Sequence, residues 1–286
     1  MKFLYTSDLH GEIILYEELY TLAIDSSAEF IGLGGDLFPS FPPTKQYQDL
    51  IPYQKTFVEK FLLPFFKRVL ETTCVKKIFL IPGNWDLGYF HLLKNPIENL
   101  IHLDQAISRF DEGYELIGYS TVPPTPFRPK NYERRDNKEA PWPPQKNPSY
   151  IMVNDQNEKL TAVDPFLYLN QKETIQEDLL RLPNPLDPER TIYIMHSPPF
   201  GTNLDLTSEK NPAGSQSIKT FIEKKQPLLT LHGHIHESPK VSGSYFHRIG
   251  KTLSINPGQF ISSKLQAVTF EIENVEGTLQ HTCIQS

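Results

Sequence analysis

Short apolar runs that end in small or polar residues recur along the chain at 2–7, 29–34, 77–82, 191–196 and 227–232. Runs of this kind predict strands buried on both faces rather than half-exposed ones. Between them, 12–23, 53–70, 172–182 and 216–225 carry the apolar spacing of helices. In the second of these, Phe57, Phe61 and Phe65 fall at helical spacing, which predicts a face packed into a core rather than a binding stripe. From 242 to 283 the pattern changes to several antiparallel strands, one of them at 265–272. Alternating strands and helices with a β-rich end predict an α/β fold of two packed sheets flanked by helices.

One segment departs from this regularity. Between 123 and 148 there are eight prolines in 26 residues, together with Arg128, Lys130, Arg134, Arg135, Lys138 and Lys146. Proline removes a backbone donor and fixes φ, so this density predicts an irregular surface loop. Glu133, Asp136 and Glu139 leave it net basic. It reads equally as a lid or specificity loop meeting an anionic substrate and as a disordered surface excursion.

The chain of 286 residues is long enough for a sizeable core. Its 28 basic and 34 acidic residues give a net charge of −6, which speaks against non-specific binding to nucleic acid or to an anionic membrane. Its only cysteines, Cys74 and Cys283, are read as unpaired thiols. No apolar run approaches the roughly 18 residues of a membrane span, and the sequence passes from Met1 directly into its first strand. The expectation is a cytoplasmic protein.

The chemistry is concentrated where the predicted strands end. Asp8, Leu9, His10 and Gly11 follow the first, Gly35 and Asp36 the second, and Gly83, Asn84, Trp85 and Asp86 the third. His196 closes the fourth, and Gly233, His234, Ile235 and His236 follow the fifth. Any one of these carboxylates or imidazoles could be a turn or capping residue. Five successive strand ends bearing metal-ligand chemistry are another matter, because ligands in α/β sheets collect beyond the carboxyl ends of strands. Oxygen and imidazole donors without thiolates suit Mn, Fe or Zn. Asp8, His10, Asp36, Asn84, His196, His234 and His236 are too many ligands for one such ion and suit two divalent ions sharing a carboxylate.

These blocks, in this order, resemble the signature of the calcineurin-like metallophosphoesterase superfamily. Asn256, Pro257 and Gly258 resemble a turn near the end of the same fold. The resemblance implies a four-layer α-β-β-α sandwich of two mixed sheets, formed by a single domain over 1–286. It implies that Asp8, His10 and His236 hold one metal, that Asn84, His196 and His234 hold the other, and that Asp36 bridges. A metal-bound hydroxide would then attack a phosphodiester or pyrophosphate bond of a small-molecule or nucleotide substrate, with Asp36, Asn84 and His196 closest to the chemistry. Manganese is the metal expected first.

The third block departs from the family pattern. Trp85 stands where that pattern has a histidine near the leaving oxygen, and Pro39 stands where the protein phosphatase branch has that histidine's aspartate partner. Indole does not titrate as an acid. The expectation is therefore a good leaving group, as in the lipid A-pathway pyrophosphatases, which the third block resembles in lacking the histidine. The other reading is a metal-binding scaffold with little turnover, against which the intact set of seven ligands counts. Trp85, Arg128, Arg134 and Arg135 are the residues expected to touch substrate. The 198–205 segment after His196 is expected to form a tight loop beside the second metal.

Overall fold

The computed structural model describes residues 1–141, 149–152, 160–261 and 263–283. In chain order the first strands are β1 (Lys2–Thr6), β2 (Phe30–Leu33), β3 (Lys77–Leu80), β4 (Leu100–His102), β5 (Ile107–Phe110), β6 (Tyr114–Tyr119), β7 (Ser149–Met152) and β8 (Leu160–Val163). They are followed by β9 (Thr191–Met195), β10 (Leu229–Leu231), β11 (Phe246–Ile249), β12 (Thr252–Ile255), β13 (Val268–Glu271) and β14 (Gln280–His281). One six-stranded sheet runs β14-β13-β1-β2-β3-β4, and a second runs β11-β12-β10-β9-β6-β5. In the first, β1 to β4 are parallel and β13 is antiparallel to β1. In the second, β6, β9, β10 and β12 are parallel, and β5 and β11 are antiparallel edges.

Strand alternation explains the layering. Phe3, Tyr5, Phe30, Phe79 and Ile81 from the first sheet meet Leu116, Ile192, Ile194, Leu229 and Leu231 from the second. The opposite face of the first sheet, with Leu4, Ile31, Leu33, Ile78 and Leu80, is covered by helices α1 (Ile13–Asp25), α2 (Leu50–Phe57) and α3 (Leu63–Thr72). The short α4 (Tyr89–Leu93) joins this layer through Tyr89 and Leu92. Beyond α5 (Pro165–Asn170), α6 (Ile175–Leu179) and α7 (Gln216–Lys225) cover Ile117, Tyr119, Tyr193 and Met195 on the outer face of the second sheet. The four-layer sandwich expected from the sequence is thus present. Two one-turn helices, α8 (Ser238–Ser242) and α9 (Val275–Thr278), complete the elements.

Several details differ from the sequence reading. The helix expected at 53–70 is α2 and α3 joined by a π-helical turn over Val58–Leu62. Pro64 lies at the start of α3 and has no N–H to give the preceding turn, so the ladder shifts register there. The helix expected at 172–182 is shortened to α6, because Thr174 and Glu177 form a reciprocal capping box that starts it at Ile175. In the tail, β12 runs parallel to β10, so that region is not wholly antiparallel. Among the described residues no helix is long and apolar enough to cross a membrane. Cys74 and Cys283 are free thiols.

The proline-rich loop is irregular as expected, and its described part contains a buried ion pair. Lys130 and Glu133 are both 0% exposed and pair at 3.0 Å. Lys130 Nζ also donates to the carbonyls of Thr125 and Phe127, while Glu133 accepts from Thr125. Further along, Asp136 accepts from Ser215 and from the Ser217 backbone at the start of α7. Residues 142–148 of the expected loop lie outside the described residues. The antiparallel pair β7 and β8 follows, which the sequence reading did not anticipate.

Candidate metal centre

The parallel strands β1, β2 and β3 of one sheet and β9 and β10 of the other deliver their following loops to a common place. The loops after β1 and β2 lie side by side, with Asp8 N bonded to Gly35 O at 2.9 Å and His10 N to Asp36 O at 2.8 Å. Asp8, His10, Asp36 and His234 all have left-handed backbones, with φ of 58°, 47°, 51° and 67°. Such conformations cost a non-glycine residue about 1–3 kcal/mol each and concentrate at functional sites.

Each loop is fixed before any side chain reaches the centre. Asp36 Oδ1 accepts from Trp85 N at 2.8 Å. Both Asp8 oxygens lie 3.0 Å from His234 N, and Ser7 donates to Asp8 Oδ2 at 2.5 Å. His196 Nδ1 is 2.7 Å from the Gly34 carbonyl, which fixes its proton there and presents Nε2 as a ligand atom. His10 Nδ1 lies 2.6 Å from Ser40 Oγ, which orients the ring. Glycine allows the close approach: a Cβ on Gly83 would lie 2.1 Å from Asp36 Oδ1, and one on Gly233 would lie 2.5 Å from Asp8 Oδ2.

Two groups of ligand atoms result, Asp36 with His196 and His234, and Asp8 with His10 and Asp36, each mutually within 4.8 Å. Asp36 belongs to both. Asn84 adjoins the first group, with Oδ1 at 3.3 Å from His196 Nε2. Its Nδ2 is buried without a partner among the described residues, an orphan donor that a bound ligand can satisfy. The His236 ring stands 5.8 Å from that of His10, with its side chain 44% exposed at the mouth. Hard oxygen and imidazole donors in two groups with one shared carboxylate fit divalent cations.

The electrostatics agree with this donor set. Burial pushes the Asp36 pKa upward, but the charge and hydrogen bond of His196, with His10 and Trp85 N, bring it below the usual carboxylate range. Burial alone would lower the His196 pKa; the Asp36 carboxylate overrides it and lifts it to about 9. His234, desolvated and beside His196, falls to about 3. A cluster that gathers carboxylate charge around imidazoles attracts cations, and their binding displaces the proton from His196.

Of the residues that brace the centre, Asp86 and Asn256 were given no bracing role from sequence, whereas a hydrogen-bonded supporting place for His232 and a tight loop at 198–205 were expected. Asp86 accepts from Leu37 N, Phe38 N and Gly83 N, joining the loops after β2 and β3. Asn256 donates from Nδ2 to the carbonyls of Leu204, Gly233 and Ile235, bracing the loop after β10. His232 is wholly buried, with Nδ1 at 3.0 and 2.9 Å from the carbonyls of Met195 and Ser197. The 198–205 segment is a tight loop: Asp205 accepts from Gly201 N and Thr202 N, and Thr202 Oγ1 donates to Pro199 O.

Of the residues expected to touch substrate, Trp85 follows Asn84 and binds Asp36 through its backbone N–H. Phe41 and Phe127 pack on its indole at 5.1 and 5.7 Å. Arg128 lies over the Tyr47 ring at 4.9 Å. Arg134 and Arg135 are instead engaged by the proline-rich loop and its neighbours, Arg134 with the Glu133 carbonyl and Arg135 with Asn170 Oδ1. The sequence has no contiguous aromatic and basic run; the fold assembles these rings from three segments.

The family model described as calcineurin-like phosphoesterase matches residues 1–238. No curated relative matches the chain. Among solved structures, TT1561 of Thermus thermophilus is 17% identical, with 99% of each chain covered and a TM-score of 0.56. A dimetal phosphatase from Danio rerio is 9% identical, covering 94% of this chain and 91% of that one at a TM-score of 0.52. At such identities the likeness is one of fold, and it is the same fold. With its family match spanning most of the length, the chain belongs to the calcineurin-like phosphoesterases, whose general chemistry is metal-dependent hydrolysis of phosphoric esters.

Proposed function

We propose that the chain hydrolyses a phosphodiester or pyrophosphate bond of a small-molecule or nucleotide substrate at a pair of divalent ions. The observation that carries this reading is the membership of Asp36 in both ligand groups. Asp8, His10, Asp36 and His236 would hold one ion, and Asp36, Asn84, His196 and His234 the other. Manganese suits the mixed oxygen and imidazole donors, as do iron and zinc. Two such ions supply Lewis acidity that makes water a nucleophile at neutral pH and offsets charge on the phosphoryl oxygens. The dimetal phosphatase from Danio rerio shares the fold, which supports a two-ion reading.

The protein's own groups orient the reaction. Gly34 O fixes the tautomer of His196, and Ser40 Oγ holds the orientation of the His10 ring. Asn84 Nδ2, which has no acceptor among the described residues, would donate to a phosphoryl oxygen. Trp85 supplies no titrating acid, which favours a leaving group that departs as a stable anion. The whole chain acts as one domain in this reading, because β13, beyond the family match, completes the first sheet against β1.

Replacing Asp36 by Asn tests the assignment. The variant is expected to lose turnover of a nitrophenyl diester with manganese and to retain less metal after gel filtration. Full retention of both activity and metal would remove Asp36 from its bridging place. A wild-type protein that holds two ions but turns over neither diesters nor pyrophosphates would instead be a scaffold.

A further inference from the structure

Three rings from separate segments meet at Trp85, the residue after Asn84 whose backbone N–H binds Asp36. Trp85 is 6% exposed and is anchored by its backbone N–H to Asp36 and by its carbonyl to Gln54 Nε2. Phe41, from the loop after β2, is tilted 54° to the indole, and Phe127, from the proline-rich loop, is tilted 52°. Both phenyl rings remain open to solvent, at 59% and 48% exposure. Tyr47 extends the cluster with an edge contact to Phe41, and the Arg128 guanidinium lies over Tyr47.

The position of Phe127 is strongly determined. Lys130 Nζ donates to its carbonyl at 2.5 Å, and its N–H donates to Thr125 Oγ1 at 3.2 Å. Thr125 Oγ1 in turn donates to Glu133. Burying an ammonium and a carboxylate carries a desolvation cost that their attraction only partly offsets. Here the pair and its hydrogen bonds hold a loop that sets a half-exposed ring against Trp85, the residue after Asn84. Packing within the core does not require such an arrangement, whereas recognition of a ligand does.

We infer that this shelf takes the planar ring of the substrate, a nucleobase or similar heteroaromatic attached to the phosphoryl group held by the ions. The inference rests on the phosphoesterase reading and adds the substrate class to it. Aromatic surfaces stack on bases with little preference for the base, and a neighbouring guanidinium adds to the attraction. An alkyl chain would use any apolar surface and would gain nothing from rings held at fixed tilt. Lys130 and Glu133 are positioning residues, acting through Phe127.

The test uses the full chain with Trp142 replaced by Phe, which leaves Trp85 as the single indole. With manganese supplied, Trp85 fluorescence is followed on titration with AMP, ribose 5-phosphate and hexyl phosphate. AMP is expected to quench the indole and to bind about tenfold or more tightly than the other two. Phe41→Leu and Phe127→Leu keep apolar bulk without a ring, and each is expected to erode that preference while leaving ribose 5-phosphate binding in place. Equal binding of AMP and ribose 5-phosphate would overturn the shelf, as would hexyl phosphate matching AMP or a preference that survives both substitutions together. Turnover of a nitrophenyl diester is measured alongside. Turnover without a preference for AMP refutes the shelf alone; an AMP preference without turnover in metal-loaded protein supports the shelf and refutes hydrolysis.

Discussion

The Asp86 carboxylate accepts the Phe38 N–H at 2.8 Å, so the loop that carries Asn84 holds the loop that carries Asp36. Leu37 N and Gly83 N complete its set of donors. Burial, with Asp36 nearby, pushes its pKa up to about 7, while the three donors pull toward the anion. Cations in the centre would favour the anion further. Asp86→Ala would strand three buried donors, each costing about 1–3 kcal/mol. A loss of about 3 kcal/mol or more in denaturant unfolding is expected, together with weaker metal retention. A change under about 1 kcal/mol would mean the loops hold without it.

Gly83→Ala examines the same junction from its steric side. The new methyl would lie 2.1 Å from Asp36 Oδ1 and 2.2 Å from Asp36 N, neither of which is a flexible chain end. The expected result is a folded protein with less bound metal, read by elemental analysis and circular dichroism. Wild-type metal content would show that the two loops separate easily.

His232 sets a pH dependence of stability. Burial, opposed in part by the Ser197 and Met195 carbonyls, lowers its folded pKa to about 4 from the ordinary 6.5. Between those values the unfolded chain binds the proton and the folded one does not. Its contribution is therefore complete above pH 6.5 and is lost as pH falls toward 4, up to about 3 kcal/mol. Denaturant unfolding at several pH values should show a shallower acid loss in His232→Gln. Parallel profiles for the two proteins would contradict this.

Trp85→His asks whether the missing acid limits the substrate range. Pro39, at the position of the partner aspartate, packs against Gly11 and offers no carboxylate. At equal metal content, turnover of an alkyl diester relative to a nitrophenyl diester is expected to rise about tenfold or more. A uniform fall on both substrates would show that the indole acts by shaping the pocket.

The strands that carry the centre were legible because β1, β2, β3, β9 and β10 are short apolar runs ending in distinctive polar residues. The edge of each sheet was not. β4 has three residues, β5 has only Ile107 and Phe110 as apolar positions without alternation, and β6 contains a buried Glu115 that interrupts its apolar signal. Glu115 pairs with Arg109 across the β5–β6 hairpin and accepts the distant Leu186 N–H. Lys130 and Glu133 pair only three residues apart, yet nothing in a basic, proline-rich stretch signals that both are buried. Burial of a charge depends on partners that only the folded chain supplies. The ligand types could be read at once, but the bracing by Asp86 and Asn256 and the meeting of Phe41 with Phe127 required the fold.

The left-handed backbones of Asp8, His10, Asp36 and His234 bear on how such a chain could change over time. Glycine or asparagine would sit more comfortably at all four places. A lineage released from metal chemistry would gain stability by making those replacements, one at a time and without touching the sheets. This chain carries a carboxylate or an imidazole at each of the four, so whatever strain lies there is the cost of presenting those side chains.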